Sequence, residues 1–200
     1  MAPAASAGPG QTQPSSSTGQ AESHGGAAGV PGVGDGYEVT ALALAKLGVK
    51  YMFGVVGIPV TPLASSAQAA GIRFIGFRNE QSAGYAAAAA GFLTGTPAAL
   101  LTVSGPGAVH GIAGLSHAQA NCLPLLQLSG SCETSEVGKG AFQECDQVAA
   151  VTRFCKYAGR AASPADVPRV LAAAVAAAAG GRPGAAYVDL PSDMLLTRAA

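Results

Sequence analysis

The stretch Arg73-Phe74-Ile75-Gly76-Phe77-Arg78-Asn79-Glu80-Gln81-Ser82-Ala83-Gly84-Tyr85 decides how this sequence folds. Its first half reads as a short apolar strand and its second half as a helix of small residues, with Glu80 at the junction. A carboxylate there lies near the positive end of a helix, and Ser82, Ala83 and Gly84 leave room for a flat ligand to approach. Two readings are open: Glu80 carries chemistry, or it only caps its helix, as acidic first-turn residues often do.

Outward from this stretch, strands and helices alternate. Helices are expected at 37–47, 61–70, after Glu80, at 108–120, near Gln147 and at 166–179. Strands are expected at 51–56, 72–77, 98–103, 123–129, 153–158 and 185–190. Alternation with nearly continuous apolar strands predicts an α/β fold, a doubly wound and mainly parallel six-stranded sheet with helices on both faces. In such sheets ligands bind at the carboxyl ends of the strands, where Gly57, Glu80, Ser104 and Gly130 fall.

Of the 200 residues, 49% are hydrophobic and only 11% charged, and the formal net charge is zero. That balance argues against an electrostatic grip on nucleic acid or on an acidic lipid surface. No run of about eighteen strongly apolar residues predicts a membrane span. Residues 1–36 are almost entirely Ala, Gly, Ser, Pro, Gln and Thr without Lys or Arg, and read as a disordered tail with no secretory signal. Cys122, Cys132, Cys145 and Cys155 form no CxxC pair and read as free thiols of a reducing compartment. His110 and His117 are placed on opposite sides of their helix and, like His24 in the tail, read as structural histidines; no metal site is expected.

Several turns carry two readings. Ser104-Gly105-Pro106-Gly107 follows a strand and opens a helix, where backbone N–H groups can meet a polar ligand, or where glycine serves only a tight turn. His110 stands where a dinucleotide fingerprint needs glycine. Gly138-Lys139-Gly140 lacks the glycine and the Ser or Thr of a phosphate loop. Gly57-Ile58-Pro59 is either a plain turn or a ligand-facing one. Phe142-Gln143-Glu144 is either a loop anchored by Phe142 or part of a site.

Taken together, Tyr51-Met52-Phe53-Gly54-Val55-Val56-Gly57-Ile58-Pro59-Val60, Arg78-Asn79-Glu80-Gln81, Ser104-Gly105-Pro106-Gly107, Asn121-Cys122-Leu123-Pro124-Leu125 and Gly140-Ala141-Phe142-Gln143-Glu144 form an ordered series. Gly181-Arg182-Pro183-Gly184 and Tyr187-Val188-Asp189-Leu190-Pro191 complete it. Over 37–196 it resembles the N-terminal, pyrimidine-binding domain of thiamin-diphosphate enzymes. Within them it is most similar to 2-hydroxyacyl-CoA lyases, with oxalyl-CoA decarboxylases close behind.

The resemblance implies thiamin diphosphate and Mg2+ as cofactors and Glu80 as the catalytic carboxyl at the aminopyrimidine ring nitrogen. That role needs a carboxyl that holds or shares a proton, which enclosure by Phe77, Tyr85 and nearby alanines would favour. It implies that Gly57, Ile58, Pro59, Ser104, Gly105, Pro106 and Gly107 line the cofactor, and that Phe142 and Gln143 face the substrate. The reaction implied is cleavage of a 2-hydroxyacyl-CoA to an aldehyde and formyl-CoA, as in fatty acid alpha-oxidation. The alternatives are an oxalyl-CoA decarboxylase or acetolactate-synthase-like enzyme, and a non-catalytic fragment that pairs with full-length subunits. Phe142 favours the lyase, because decarboxylases more often carry tyrosine there. The family continues into central and diphosphate-binding domains that hold the Mg2+. Gly34-Asp35-Gly36 resembles the start of its metal motif but lacks the asparagine nearly thirty residues later, so the chain alone is expected to be inactive. The resemblance also implies an acyl-CoA substrate, a homodimer or homotetramer, and a peroxisomal rather than simply cytoplasmic location.

Overall fold

The computed structural model describes residues 34–199. The part of the expected tail at 1–33 therefore lies outside the described residues. Gly34, Asp35 and Gly36, which composition assigned to that tail, belong to the folded unit. The Asp35 side chain caps the first helix by accepting from Glu38 N at 3.0 Å, and Asp35 forms a β-bridge with Arg198.

The elements follow as α1 (Gly36–Lys46), β1 (Tyr51–Gly54), α2 (Thr61–Ala69), β2 (Arg73–Gly76), α3 (Glu80–Thr94), β3 (Ala98–Thr102) and α4 (Pro106–Ala120). Then come β4 (Leu125–Ser131), α5 (Gln147–Val151), β5 (Tyr157–Arg160), α6 (Val167–Ala179), β6 (Ala185–Pro191) and α7 (Ser192–Leu196). The sheet has six strands in the order β2-β1-β3-β4-β6-β5, and every pair is parallel. This is the doubly wound α/β fold expected from the alternation.

Strand alternation divides the core. Met52, Ala99, Leu101, Leu126 and Val188 face α1, α2 and α6, while Phe53, Leu100, Leu125 and Tyr187 face α3, α4 and α5. β3, β4 and β6 are buried along their whole length, as strands covered on both faces must be. After β1 the chain passes to α2 on one face, and after the neighbouring β3 it passes to α4 on the other. The crevice between these two exits is the topological switch point, the usual ligand position in an open parallel sheet.

Every strand shifts by at least one residue from the sequence reading, and three shifts have a clear cause. β1 stops at Gly54, its last ladder partner to both β2 and β3. β4 begins after Pro124, which has no N–H for the ladder, and runs on to Ser131 because Gly130 and Ser131 pair with Leu190 and Pro191. The stretch 153–155 is not strand: residues Thr152–Phe154 continue α5 as a 3-10 turn, so β5 starts later and ends on Arg160. α7, unpredicted, packs Met194 and Leu195 under α1.

Candidate functional site

Asn79, not Glu80, caps α3: its side chain accepts from Ser82 N at 2.9 Å, and its backbone is extended, as an N-cap requires. Glu80 is thereby released from capping and turns onto α4. Its Oε2 lies 3.2 Å from His110 Nδ1, and this is its only side-chain hydrogen bond among the described residues. The Glu80 side chain is 13% exposed and that of His110 is 61% exposed. Gly107, one turn earlier on α4, stands beside the other oxygen: a Cβ there would meet Glu80 Oε1 in ordinary contact at 3.5 Å and would clash with Val103 Cγ2 at 2.5 Å.

The two helices come this close because glycine meets glycine. A Cβ on Gly84 would lie 2.9 Å from the Cα of Gly114, and one on Gly114 2.8 Å from the Cα of Gly84. Tyr85, expected to enclose Glu80, stands elsewhere: its hydroxyl accepts from Gln81 Nε2 at 2.8 Å and its ring meets His117 edge-on at 5.0 Å. Phe77 packs against Phe53. The histidines also correct the sequence reading. Seven residues make nearly two turns at 3.6 per turn, so His110 and His117 share the α3-facing side of α4, and both are exposed.

The turn at the end of β3 is built for shape. Gly105 sits at φ 54°, ψ −111°, where a side chain would be strained, and a Cβ would meet Gln143 O at 2.6 Å. Its N–H, expected to be open to a ligand, is already used: it donates to Gln147 Oε1 at 2.6 Å. Gly107 N donates to Ser104 O at 3.3 Å, Pro106 has no N–H, and Ser104 Oγ donates to Gln143 Oε1 at 3.0 Å. After β1, the Gly57 carbonyl accepts from Val60 N, Thr61 N and the Thr61 hydroxyl. This holds Ile58 out in solvent, 77% exposed.

A cleft of about 210 Å³ is lined by Ile58, Pro59, Ser104, Ala141 and Phe142, together with Ser131, Cys132 and Glu133 among others. It brings the first turn, the second turn and the later loop to one place at the carboxyl edge. Phe142 is 74% exposed at its rim and so does not anchor the loop. Glu144 fastens it instead, accepting from Gly138 N, Gly140 N and Ala141 N. The Gly138 N–H holds its carboxyl below the usual range, with Ala141 and Gly140 adding to the effect against partial desolvation. Glu80 does not line this cleft; it stands on the α3–α4 side of the crevice.

Behind the cleft lies a buried polar cluster that the sequence reading treated as structural or passed over. Asp189, fully buried on β6, accepts from Arg160 Nε at 2.6 Å, Ser131 Oγ at 3.0 Å, Gln147 Nε2 at 2.6 Å and Tyr187 OH at 3.3 Å. Burial, then the charge of Asp189, pushes the Tyr187 phenol well above its ordinary value. Gln147 also donates to Gly130 O, so one side chain ties the ends of β3, β4 and β6 together. The alternation of β6 could have flagged Asp189 as an acid on a buried strand, but nothing local foretold Arg160 or Gln147 as its partners.

The four cysteines are free. Burial raises the Cys132 thiol, with Glu144 adding to it, and burial pushes Cys155 up to about 11. No group of three or more His, Cys, Asp or Glu among the described residues could hold a metal ion. No described helix is long and apolar enough to cross a membrane.

A switch-point crevice with an acid at one helix start and shaped turns at the other exits defines a cofactor-binding α/β domain. Residues 34–150 match the family described as thiamine pyrophosphate enzyme, N-terminal TPP binding domain, and the chain belongs to it. It is 62% identical over 161 residues to a 2-hydroxyacyl-CoA lyase of Oryza sativa subsp. japonica, across 80% of this chain and 28% of that protein. To the 2-hydroxyacyl-CoA lyase 1 of Homo sapiens it is 48% identical over 160 residues, again 80% and 28%. To the oxalyl-CoA decarboxylase of Escherichia coli K12 it is 45% identical over 163 residues, 80% and 29%. The chain thus spans less than a third of the length of these relatives.

Proposed function

We propose that this chain is the pyrimidine-binding part of a thiamin-diphosphate-dependent carbon–carbon lyase that cleaves a 2-hydroxyacyl-CoA to an aldehyde and formyl-CoA. The observation that carries the reading is the release of Glu80 from capping, which leaves a nearly covered carboxyl beside Gly107 at the start of α4, on the same sheet edge as the glycine turns. The identity to named lyases supports the substrate class.

The described residues fit the pyrimidine half of the cofactor. A carboxyl suits a ring nitrogen, and Gly107 leaves space beside Glu80 Oε1 that a Cβ would narrow. When bound, thiamin diphosphate supplies the carbon nucleophile and the electron sink. Glu80 holds and moves a proton at Oε1. Gly57, Ile58, Pro59, Ser104, Gly105, Pro106 and Gly107 shape the walls, with the N–H groups of Gly105 and Gly107 already used within the chain. Phe142 and Gln143 stand on the substrate side, where Phe142 shields the reacting atoms from water. The described residues do not fit Mg2+, which the family resemblance places on a different domain.

An exposed apolar strip on α3 and α4, with Tyr85, Phe92, Leu93 and Val109, supports pairing with a second copy, as a homodimer or homotetramer. Free cysteines fit a reducing compartment, and the family resemblance points to the peroxisome.

Oxalyl-CoA decarboxylation is the second reading, supported by the identity to the bacterial enzyme. The test is to supply the holoenzyme carrying this domain with a 2-hydroxyacyl-CoA and, separately, with oxalyl-CoA. Aldehyde plus formyl-CoA from the first at the higher kcat/KM is expected. Carbon dioxide from oxalyl-CoA as the dominant reaction would overturn the lyase assignment.

A further inference from the structure

One buried side chain supports three walls of the cleft at the carboxyl edge. Gln147, the first residue of α5, is 1% exposed, so its contacts lie inside this chain whatever covers the edge. The Gly105 N–H donates to its Oε1 at 2.6 Å, and its Nε2 donates to Gly130 O at 3.0 Å. Gly130 backs the first turn, for a Cβ there would meet Pro59 Cδ at 2.6 Å. Gly105 belongs to the second turn and abuts the Phe142 loop, for a Cβ there would meet Gln143 O at 2.6 Å. Pro59, Ser104 and Phe142, one from each wall, line the cleft. We propose that Gln147 is a positioning residue that sets the spacing of these three walls, with Asp189 fixing its direction. This rests on the function proposed above.

The Gln147 amide has only one workable direction. Its Nε2 also donates to Asp189 Oδ1 at 2.6 Å and lies 3.1 Å from Tyr187 OH. Turned the other way, its carbonyl would face the Asp189 carboxylate and its NH2 would face the Gly105 N–H, acceptor against acceptor and donor against donor. The bond to a carboxylate is the stronger, charge-assisted kind, and Arg160 holds that carboxylate in place by donating from Nε at 2.6 Å. The direction set at Asp189 is thus delivered as a fixed acceptor at Gly105.

That acceptor matters because Gly105, at φ 54° and ψ −111°, has the backbone freedom of glycine, and its N–H pairs with Gln147. Gly107, in the same turn, stands beside Glu80 Oε1, so a shift of the turn reaches the carboxyl. Misplacing a site by about 1 Å from a distance can cost roughly a hundredfold in rate. Ser104 Oγ joins the second turn to the loop again through Gln143 Oε1, but among the described residues no other side chain bonds both Gly105 and Gly130.

Two measurements test the proposal. In the chain itself, the Gly105 amide should be protected from deuterium exchange, and Gln147→Met should lower that protection by roughly tenfold relative to the β4 amides, as for loss of one hydrogen bond. In the holoenzyme, Gln147→Met should lower kcat per cofactor-loaded site by roughly ten- to a hundredfold with little change in KM for the acyl-CoA. Val151→Ala, a core truncation on the same helix that leaves these contacts in place, should lower the melting temperature and keep kcat per loaded site. An unprotected Gly105 amide in the wild-type chain would overturn the contact, and that measurement needs no variant to fold. Equal kcat losses in the two variants, or an unchanged kcat in Gln147→Met, would overturn the positioning role. A wild-type holoenzyme without lyase turnover would sink the proposed reaction instead. Deuterium exchange at the reactive carbon of bound thiamin diphosphate would then decide: slowed in Gln147→Met alone it upholds the positioning, and equal in both variants it overturns it.

Discussion

Glu80 and Asp189 are both carboxylates at the carboxyl edge of one sheet, and their surroundings are opposite. Asp189 is fully buried with four side-chain donors, including the Arg160 guanidinium. Glu80 has one partner, and that partner is an exposed histidine. Satisfying every lone pair of a buried acid fixes a structure, because breaking any contact leaves an uncompensated charge. Leaving a carboxyl with one contact keeps it available to a ligand. The difference separates the half of the edge that holds shape from the half that is free to react.

The largest expected effect comes from removing the reactive acid. Glu80→Ala in the holoenzyme should lower turnover by roughly a hundred- to ten-thousandfold, as for loss of a positioned proton-transfer group. Thermal unfolding should barely move, since a single hydrogen bond to an exposed partner contributes only about 0.5–1.5 kcal/mol. A near-wild-type turnover would dissolve the contrast.

Asp189→Ala should do the reverse. With Arg160 left half-buried and unpaired, a loss of about 3–5 kcal/mol is expected in urea unfolding of the chain. A loss under 1 kcal/mol would mean that the cluster is ornamental.

Gly114→Leu probes how the reactive half is assembled. It forces a side chain into the Gly84 contact and should cost about 1–3 kcal/mol by overpacking. Because it spreads α3 from α4, it should also reduce turnover even though the Gly114 position does not contact Glu80.

A smaller, pH-dependent effect is expected in the loop that carries Phe142. The folded state holds Glu144 below its ordinary value, so its contribution is complete above the usual glutamate range and is lost as pH falls through the lowered value. Protection of the Gly138, Gly140 and Ala141 amides, measured against their intrinsic exchange rates at each pH, should therefore fall in acid before the core around Asp189 opens. Equal, simultaneous loss would show that the loop has no separate fastening.

Smallest is the thiol chemistry. All four cysteines should be alkylated without prior reduction, with Cys155 slowest because a thiol at about 11 is only roughly one-thousandth thiolate at pH 8. A disulfide-linked peptide pair would contradict the free state of the four.

Much of this was legible in the chain. Strand–helix alternation and apolar strands were enough for a parallel doubly wound sheet, because a strand buried on both faces must be apolar throughout. The junction at Glu80 was legible, but the capping role of Asn79 was not read: both residues suit a helix start, and only the geometry says which one caps. The arithmetic of the two histidines was also available, since helical period alone puts residues seven apart on one side. Arg160 was hidden because a run of Phe154 and Cys155 reads as strand by composition, while α5 winds on through it.

By itself the sequence determined the fold class, the crevice at the strand ends and the positions of the candidate turns, since these depend on periodicity and on glycine and proline, which act locally. Only the tertiary structure decided that Gly105 spends its N–H on Gln147, that Asp189 gathers Arg160 from a different strand, and that Glu80 meets His110. Each of these pairs residues between about thirty and forty positions apart. Local propensity carries no information about such partners; packing of helices across the sheet does.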